Sequence, residues 1–476
     1  MKHPILSPDR PMGVLMIVQM ASQLVYLYLG TALAGWISIA LVLVMPVLGW
    51  RSLKMREFYL LAVCFGLLVP IAAGRSDAAD IVHTGLDRAA YLASFILLMG
   101  FLRDGAVTSP SILAFGRYIT RQPPKRRFAA IFSGSHFLSV MINLGSMSLL
   151  APIIQRGIRG DDREFADLDN IQRVREQRQL SAALRGFGWF LVWAPTSITQ
   201  AVLPTLIPGV DPFRLIGLGL MITAIMLALG WLEDTFRWLP LRRRLAAAGM
   251  SPPVEKSSAP WAAIGKLAIV CGSLFALTFL FLRLASVTVV TGVMLAAPIV
   301  VIVWIRQQQS AAGADESAFG RRMEVSAFVN MPGFVREAIF IASAGFIGTL
   351  AAALVPAEEF AAAIELGSLP DWIVLAALSF SVLAAAQIGM SPITMAVFLG
   401  SVYSHLPFSP VEPTLAALAI AAGTAIASTG APFASAVVML ARVSGHDGTT
   451  LTWRWNGVFT VLSMGLLVLI YMAMTR

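Results

Sequence analysis

The chain has 476 residues, of which 57% are hydrophobic and only 13% are charged, and its formal net charge is +9. Soluble domains are about one quarter charged, so this composition excludes an ordinary soluble protein and predicts one that lies in a bilayer. In such a protein, excess positive charge marks the cytoplasmic face rather than a nucleic-acid surface.

Eleven apolar runs along the chain have the length of membrane spans, which need about 20 mostly apolar residues each. The pattern predicts an all-α polytopic membrane protein with about eleven transmembrane helices. The runs lie at 13–29, 33–50, 57–73, 81–102, 181–210, 214–232, 262–282, 285–305, 337–356, 414–441 and 458–474.

Two further apolar stretches, 128–155 and 373–403, have flanks that do not suit single spans. Basic residues bracket the first stretch at both ends, and acidic residues bracket the second at both ends. Because positive charge marks the cytoplasm, each stretch is predicted to enter and leave at one face as a re-entrant hairpin. A long tilted helix is the alternative for each stretch.

This topology places the N-terminus in the cytoplasm and the C-terminus in the periplasm of a bacterial-type inner membrane. Nearly all of the 35 Lys and Arg residues then lie inside or at inner helix ends. The exceptions are Arg75, Arg88, Arg214, Arg283 and Arg476.

The two hairpins occupy matching places in an internal duplication. Asn143 and Gln387 are 244 residues apart, and Ser135 with Ser379 and Gly145 with Gly389 keep the same offset. A long helix with an Ala-Pro interruption follows each hairpin, within 181–210 and within 414–441. We therefore predict two inverted repeats, at 81–250 and 337–476, with scaffold helices at 1–80 and at 251–336.

The prolines of these interruptions, Pro195 and Pro432, remove amide donors and free carbonyl groups. In hydrocarbon such groups need partners, so a break persists where it is buried or where it lines a wet cavity. A simple proline kink is the alternative at either position. Paired breaks favour a solute or ion site at the repeat interface.

Polar residues at the hairpin tips and at the breaks are the candidate site residues. No Asp or Glu lies in these segments, so a carboxylate proton relay is not expected. His136 is the titratable residue of the first hairpin and is expected to be a packing residue, while Arg185 is expected to snorkel. The substrate-binding candidates are Asn143, Gly145, Ser146, Pro195, Thr196, Gln387, Gly389, Ser391, Thr429 and Pro432, and the candidate sodium ligands are Ser146, Ser148, Ser391 and Thr394.

The order of spans, hairpin tips and broken helices resembles the ion transporter superfamily, especially its divalent anion–sodium symporters, with arsenite-efflux-type members as relatives. The tip residues that carry the resemblance are Asn143, Gly145 and Ser146, then Gln387, Gly389 and Ser391. The resemblance implies that the substrate binds between the tips and the broken helices. It also implies an elevator motion against a scaffold, with arms at 105–127 and 357–372.

The sequence thus predicts a secondary active transporter for a small, anionic solute. It does not predict an enzyme. A cation/proton exchanger of related fold and a membrane-embedded transferase or polymerase are the alternatives. The expected partners are the lipid bilayer and a small-molecule or ion substrate, with no nucleic acid and with a homodimer as one candidate assembly. No cofactor is expected beyond a candidate sodium ion.

Overall fold

A computed structural model describes most of the chain as helices. Part of the arm predicted at 357–372 and the predicted domain boundary at 250–251 lie outside the described residues. The described residues are 9–159, 168–248, 258–285, 287–311, 316–356, 359, 361–362, 366–406, 408–409 and 411–476.

Twenty α-helices follow one another along this part of the chain, and the described residues contain no strand. Short 3-10 or π segments lie at Trp50–Ser52, Ser326–Asn330, Met331–Phe334, Leu366–Ser368 and Thr450–Arg454. The helices are α1 Arg10–Leu29, α2 Ala32–Leu48, α3 Met55–Gly74, α4 Ala78–Val107, α5 Pro110–Thr120, α6 Pro124–Ile142, α7 Gly145–Arg159, α8 Asn170–Phe190, α9 Ile198–Leu206, α10 Pro212–Arg237, α11 Leu239–Ala247, α12 Trp261–Ala285, α13 Val289–Ala311, α14 Glu316–Val325, α15 Val335–Ala353, α16 Asp371–Gln387, α17 Pro392–His405, α18 Pro413–Gly430, α19 Ser435–Ser444 and α20 Trp455–Met474.

Each predicted span corresponds to one helix or to a pair of consecutive helices. Nine of the eleven coincide with helical segments in the described residues that are long and apolar enough to cross a membrane. The span at 33–50 is the 17-residue α2, and the span at 181–210 is the pair α8 and α9. The all-α polytopic fold is confirmed, and the chain is a multi-pass membrane protein.

The first apolar stretch, 124–159, folds back on itself. Helix α6 ends at Ile142, and Asn143 turns the chain with φ 48° and ψ −129° before α7 begins. Phe128 near the start of the stretch faces the same cavity as Val174 of α8. Gln155 near its end donates to Glu176 of α8 at 3.0 Å. Both ends of the stretch therefore lie beside one segment of α8; entry and exit at one membrane face stay a prediction.

The second stretch, 371–405, is also a helix pair. Helices α16 and α17 are joined by a turn at 388–391, in which Gly389 has φ 92°. Helix α16 runs along α18 in the same direction, because Ser379 contacts Ala419 and Gln387 contacts Gly430. Helix α6 runs along α8 in the same way.

One serine and one glycine in each half hold these helix pairs together. Ser135 donates to the carbonyl of Ala183 at 2.7 Å, and Ser379 donates to the carbonyl of Ala419 at 2.7 Å. In each half a glycine of the interrupted helix, Gly186 or Gly423, lies against the hairpin backbone with no room for a Cβ. The halves thus share their packing, while the domain boundaries predicted for them stay a prediction.

A buried ion pair joins three of these helices. Arg185 of α8 is 2% exposed, and its guanidinium donates to Glu233 at 2.8 Å and to Asn456 at 2.7 Å. The same guanidinium lies 4.2 Å from the centre of the Phe459 ring. The expectation that Arg185 snorkels is wrong, because its charge is neutralised inside the bundle by Glu233 of α10 and its Nε donates to Asn456 of α20.

A second buried cluster ties the two halves together outside the predicted spans. Glu176 has an unexposed side chain and contacts Arg159, Gln155 and His446, the last at 3.0 Å. Gln155 also donates to the carbonyl of Ser444 at 2.8 Å. Burial raises the pKa of Glu176, but hydrogen bonds from His446, Arg159 and Gln155 outweigh burial and hold that pKa at about 2.

Candidate functional site

The hydroxyl groups of the first hairpin tip are bonded within the tip. Ser146 donates to the carbonyl of Asn143 at 2.8 Å and lies 2.9 Å from the hydroxyl of Ser139. Ser148 donates to the carbonyl of Gly145 at 2.9 Å. These hydroxyls keep oxygen lone pairs for a cation, but their protons are committed within the tip. Gly145 itself lies against the side chain of Arg103 of α4.

The second tip differs, because two of its hydroxyls have no partner. Ser391 is the N-cap residue of α17, yet its side chain makes no capping bond. Its oxygen and the hydroxyl oxygen of Thr394 are buried and have no hydrogen-bond partner within the described part of the chain. Thr394 is only 8% exposed. A buried hydroxyl without a partner is costly, so this pair favours a role in binding a ligand.

The turn of this tip lies open beside those hydroxyls. Ile388 is 83% exposed and Met390 is 44% exposed. The first amides of any helix have no partner within the helix and carry its positive dipole end. The start of α17 therefore offers amide N–H groups together with the unpaired hydroxyls of Ser391 and Thr394.

The first helix interruption is closed by side chains from its own segment. Ser197 and Thr199 donate to the carbonyl of Leu191, and Gln200 donates to the carbonyl of Val192 at 2.6 Å. Thr196 reaches across to α6 and donates to a tip carbonyl, that of Val140, at 2.8 Å. Pro195 is buried and borders a cavity of only about 20 Å³. This break is packed shut.

The second interruption keeps more of its backbone available. Helix α18 ends at Gly430, whose carbonyl accepts from Gln387 at 3.1 Å, and α19 begins at Ser435 after Ala434, which cannot cap with its side chain. Phe433, next to Pro432, is 61% exposed. The amides at the start of α19 thus have no side-chain cap. This break and the second tip are joined directly by Gln387.

Two tryptophans fix the polar side chains of the hairpins, and the sequence patterns did not predict this role. Trp453 donates to the amide oxygen of Gln387 at 3.1 Å, and Trp193 donates to Nε2 of His136 at 2.8 Å. Indole only donates, so Nε2 of His136 carries no proton, and Nδ1 donates to the carbonyl of Gly186 at 3.1 Å. His136 is therefore a neutral packing residue whose two ring nitrogens are both hydrogen-bonded.

The candidate residues divide into two sets. Gln387, Gly389, Ser391, Thr394 and Pro432 belong to the second tip and the second break, where groups remain available. Thr429 instead donates to the carbonyl of Ile426 at 3.0 Å, and its methyl group packs toward Gly188, where α18 crosses α8. The candidates from the first half are Asn143, Gly145, Ser146, Ser148, Pro195 and Thr196. The hydroxyls of Ser146, Ser148 and Thr196 are bonded to backbone carbonyls, whereas the side-chain amide of Asn143 makes no hydrogen bond within the described residues. Among the described residues, no group of three His, Cys, Asp or Glu side chains could hold a metal.

Comparison with known proteins adds two solved structures of the same fold. No protein-family model matches the chain, and no curated protein matches its sequence. The YdaH transporter of Alcanivorax borkumensis aligns over 87% of this chain and 98% of its own, with a TM-score of 0.57 and 14% identity. MtrF of Neisseria gonorrhoeae aligns over 87% of this chain and 95% of its own, with a TM-score of 0.52 and 12% identity.

At these identities the likeness shows the fold alone. The chain therefore has a fold found in solved membrane transporters.

Proposed function

We propose that this chain is a secondary active transporter that moves a small anionic solute across the inner membrane by an elevator-type motion. Two proteins of the same fold support this proposal: YdaH is described as a transporter, and MtrF is described with a class of antimetabolite efflux pumps. Efflux is accordingly the direction of flux to test first. The observation that carries the proposal is the pair of unpaired, buried hydroxyls at the second hairpin tip.

The chemistry of that tip favours an anion. Ser391 and Thr394 can each donate, and they sit at the start of α17, where amide N–H groups and the helix dipole also favour negative charge. The start of α19 adds a second set of amides without a side-chain cap. No acidic side chain lies in either tip or either break. Between these two helix ends, a carboxylate or a similar small anion would find donors and no repelling charge.

The proposed coupling is to sodium, or to the solute gradient alone, rather than to protons. Proton coupling through His136 would have to break the bond from Trp193 to Nε2. Hydroxyl oxygens of Ser146, Ser148, Ser391 and Thr394 are the candidate sodium ligands, since hard cations take oxygen ligands.

The test is flux in proteoliposomes that contain the purified chain, with a panel of small organic anions and imposed sodium or pH gradients. We expect anion flux that a sodium gradient or the solute gradient drives. Replacement of Gln387 by Leu should abolish it, because the second tip loses its bonds to Gly430 and Trp453. The His136→Gln variant should keep the same coupling. Flux that is driven by a pH gradient alone and is lost in His136→Gln would refute the proposed sodium coupling. Flux of cations but not of anions would refute the proposal that the substrate is an anion.

A further inference from the structure

A second cavity, with a volume of about 710 Å³, lies between the starts of α6 and α8 and the helix α11. None of the candidate solute-site residues lines it. Its interior is largely apolar, with Phe128, Val174, Trp238, Leu241 and Leu245 among the lining side chains. This volume lies within the range of roughly 300–1,000 Å³ that is usual for small-molecule sites.

Positive charge surrounds this apolar interior. No Asp or Glu is among the lining residues. Arg178 and Arg242 are held by Asp234, which lies behind them at 2.6 Å and 3.3 Å. The six basic residues of the lining are Lys125, Arg126, Arg127, Arg175, Arg178 and Arg242.

Three of these cations have no neutralising partner among the residues that the structure describes. Lys125, Arg126 and Arg175 make no ion pair or hydrogen bond with another side chain among the described residues. Lys125 and Arg126 are exposed, and Arg175 is half-buried. Their charges therefore remain available to an anionic group at the mouth of the cavity.

Helix α11 has the sequence pattern of a helix that lies at a membrane surface. Leu241 and Leu245 of α11 face the cavity, whereas Arg243 and Arg244 are exposed and do not line it. An amphipathic helix with a tryptophan at its start, here Trp238, is typical of the interface between headgroups and acyl chains. The cavity also lies at the bundle end where positive charge predicts the cytoplasmic leaflet.

We infer that this cavity is a binding site for an anionic phospholipid. The site is separate from the proposed solute site. The headgroup phosphate would contact Lys125, Arg126 and Arg175, and one acyl chain would occupy the interior beside Val174 and Leu241. Basic pockets between membrane helices on the cytoplasmic side are suited to such headgroups. A soluble anion would match the basic mouth but not the apolar interior, and a zwitterionic lipid would match the interior but not the charge.

The test is the rise in unfolding temperature of the purified full chain in uncharged detergent on titration with lipids. We expect saturable stabilisation by short-chain phosphatidylglycerol, little by phosphatidylcholine of the same chain length, and none by glycerol 3-phosphate. Replacing Lys125, Arg126 and Arg175 together by Gln should weaken phosphatidylglycerol binding by about fivefold per charge, on the order of a hundredfold in all.

Two further variants separate the site from general electrostatic attraction. The Arg243→Gln, Arg244→Gln double variant removes charge from α11 outside the cavity, and its phosphatidylglycerol affinity should be unchanged. Val174→Phe keeps all charges but fills the interior of the cavity. Phosphatidylglycerol should therefore no longer raise the unfolding temperature of this variant. Equal stabilisation by glycerol 3-phosphate would show that a free phosphate suffices and would overturn the proposal. Unchanged affinity in the triple variant or in Val174→Phe, or equal loss in the control, would also overturn it.

Discussion

The unpaired hydroxyl of Thr394 leads to the sharpest prediction. Its oxygen is buried and has no hydrogen-bond partner within the described part of the chain, and the residue is 8% exposed. Valine has nearly the same shape without the hydroxyl. Thr394→Val should therefore make the empty protein more stable while it weakens solute binding, which is a combination that a purely structural threonine cannot give.

The expected magnitudes follow from hydrogen-bond energetics. A buried hydroxyl without a partner costs about 1–3 kcal/mol, and Thr394→Val should add about that much to the free energy of unfolding. A hydrogen bond to a charged group is worth about 1.5–3 kcal/mol, so the affinity for an anionic solute should fall roughly ten- to hundredfold.

Thr424 is the matched control. It is 1% exposed on α18, and its hydroxyl donates to the carbonyl of Ile420 at 3.0 Å. Thr424→Val loses a bond that is already made, so it should cost about 1 kcal/mol of stability and leave transport intact. The two threonine variants should thus shift stability in opposite directions.

The assays are thermal or denaturant unfolding in detergent without solute, and concentration-dependent flux in proteoliposomes. If Thr394→Val lowered stability by 1 kcal/mol or more, the hydroxyl would be bonded within the folded protein and the reasoning would fail. If stability rose but the solute affinity did not change, the hydroxyl would be outside the solute site.

Further predictions concern topology, the first tip, pH and packing. Single cysteines within 121–127 and within 156–163 should react with impermeant reagent from the same, cytoplasmic side; opposite sides would refute the hairpin. Asn143 has a positive φ that glycine adopts freely, so Asn143→Gly should stay folded in unfolding assays, and lost flux in that variant would assign the amide to the site. Glu176→Gln should cost about 3 kcal/mol at neutral pH in denaturant titrations. Because the folded pKa of Glu176 is about 2 and lies below its ordinary value, that difference should shrink as the pH falls from about 4.5 toward 2. Gly423→Ala would push a methyl group into a neighbouring backbone carbonyl and should cost about 3 kcal/mol or more, seen as loss of folded protein on size-exclusion chromatography.

Much of the fold could be predicted from sequence, because the length of a membrane span and the charge of its flanking residues are directly visible in the sequence. The interruption at Pro195 lies between α8 and α9, and the interruption at Pro432 lies between α18 and α19, as the Ala-Pro pairs predicted. Apolar runs also gave helix ends to within several residues. Helix α8 starts at Asn170, whereas the predicted span starts at 181. Its first turns are charged, so they do not form part of an apolar run.

The candidate site was less predictable, because the partners of a hydroxyl depend on the local turn. Ser146 and Ser391 look equivalent in sequence, each close to a tip glycine. In the structure Ser146 donates to a carbonyl of its own turn, whereas Ser391 precedes Pro392 and makes no capping bond. Arg185 was similarly misread: its neutralising partner Glu233 lies 48 residues further along the chain, and no pattern in the sequence links the two.

The two halves of the duplication share their packing contacts but differ in the hydrogen bonding of their hairpin tips. Ser135 and Ser379 bond a carbonyl of the interrupted helix in the same way, so the symmetric part of the repeat maintains packing. Of the two hairpin tips, only the second has buried hydroxyls without a partner in the described part of the chain, at Ser391 and Thr394. A ligand that needed hydroxyl donors from both tips would find those of Ser146 and Ser148 already bonded within the first tip. The asymmetry instead favours the proposal that an anion is held mainly by the second tip and the second break.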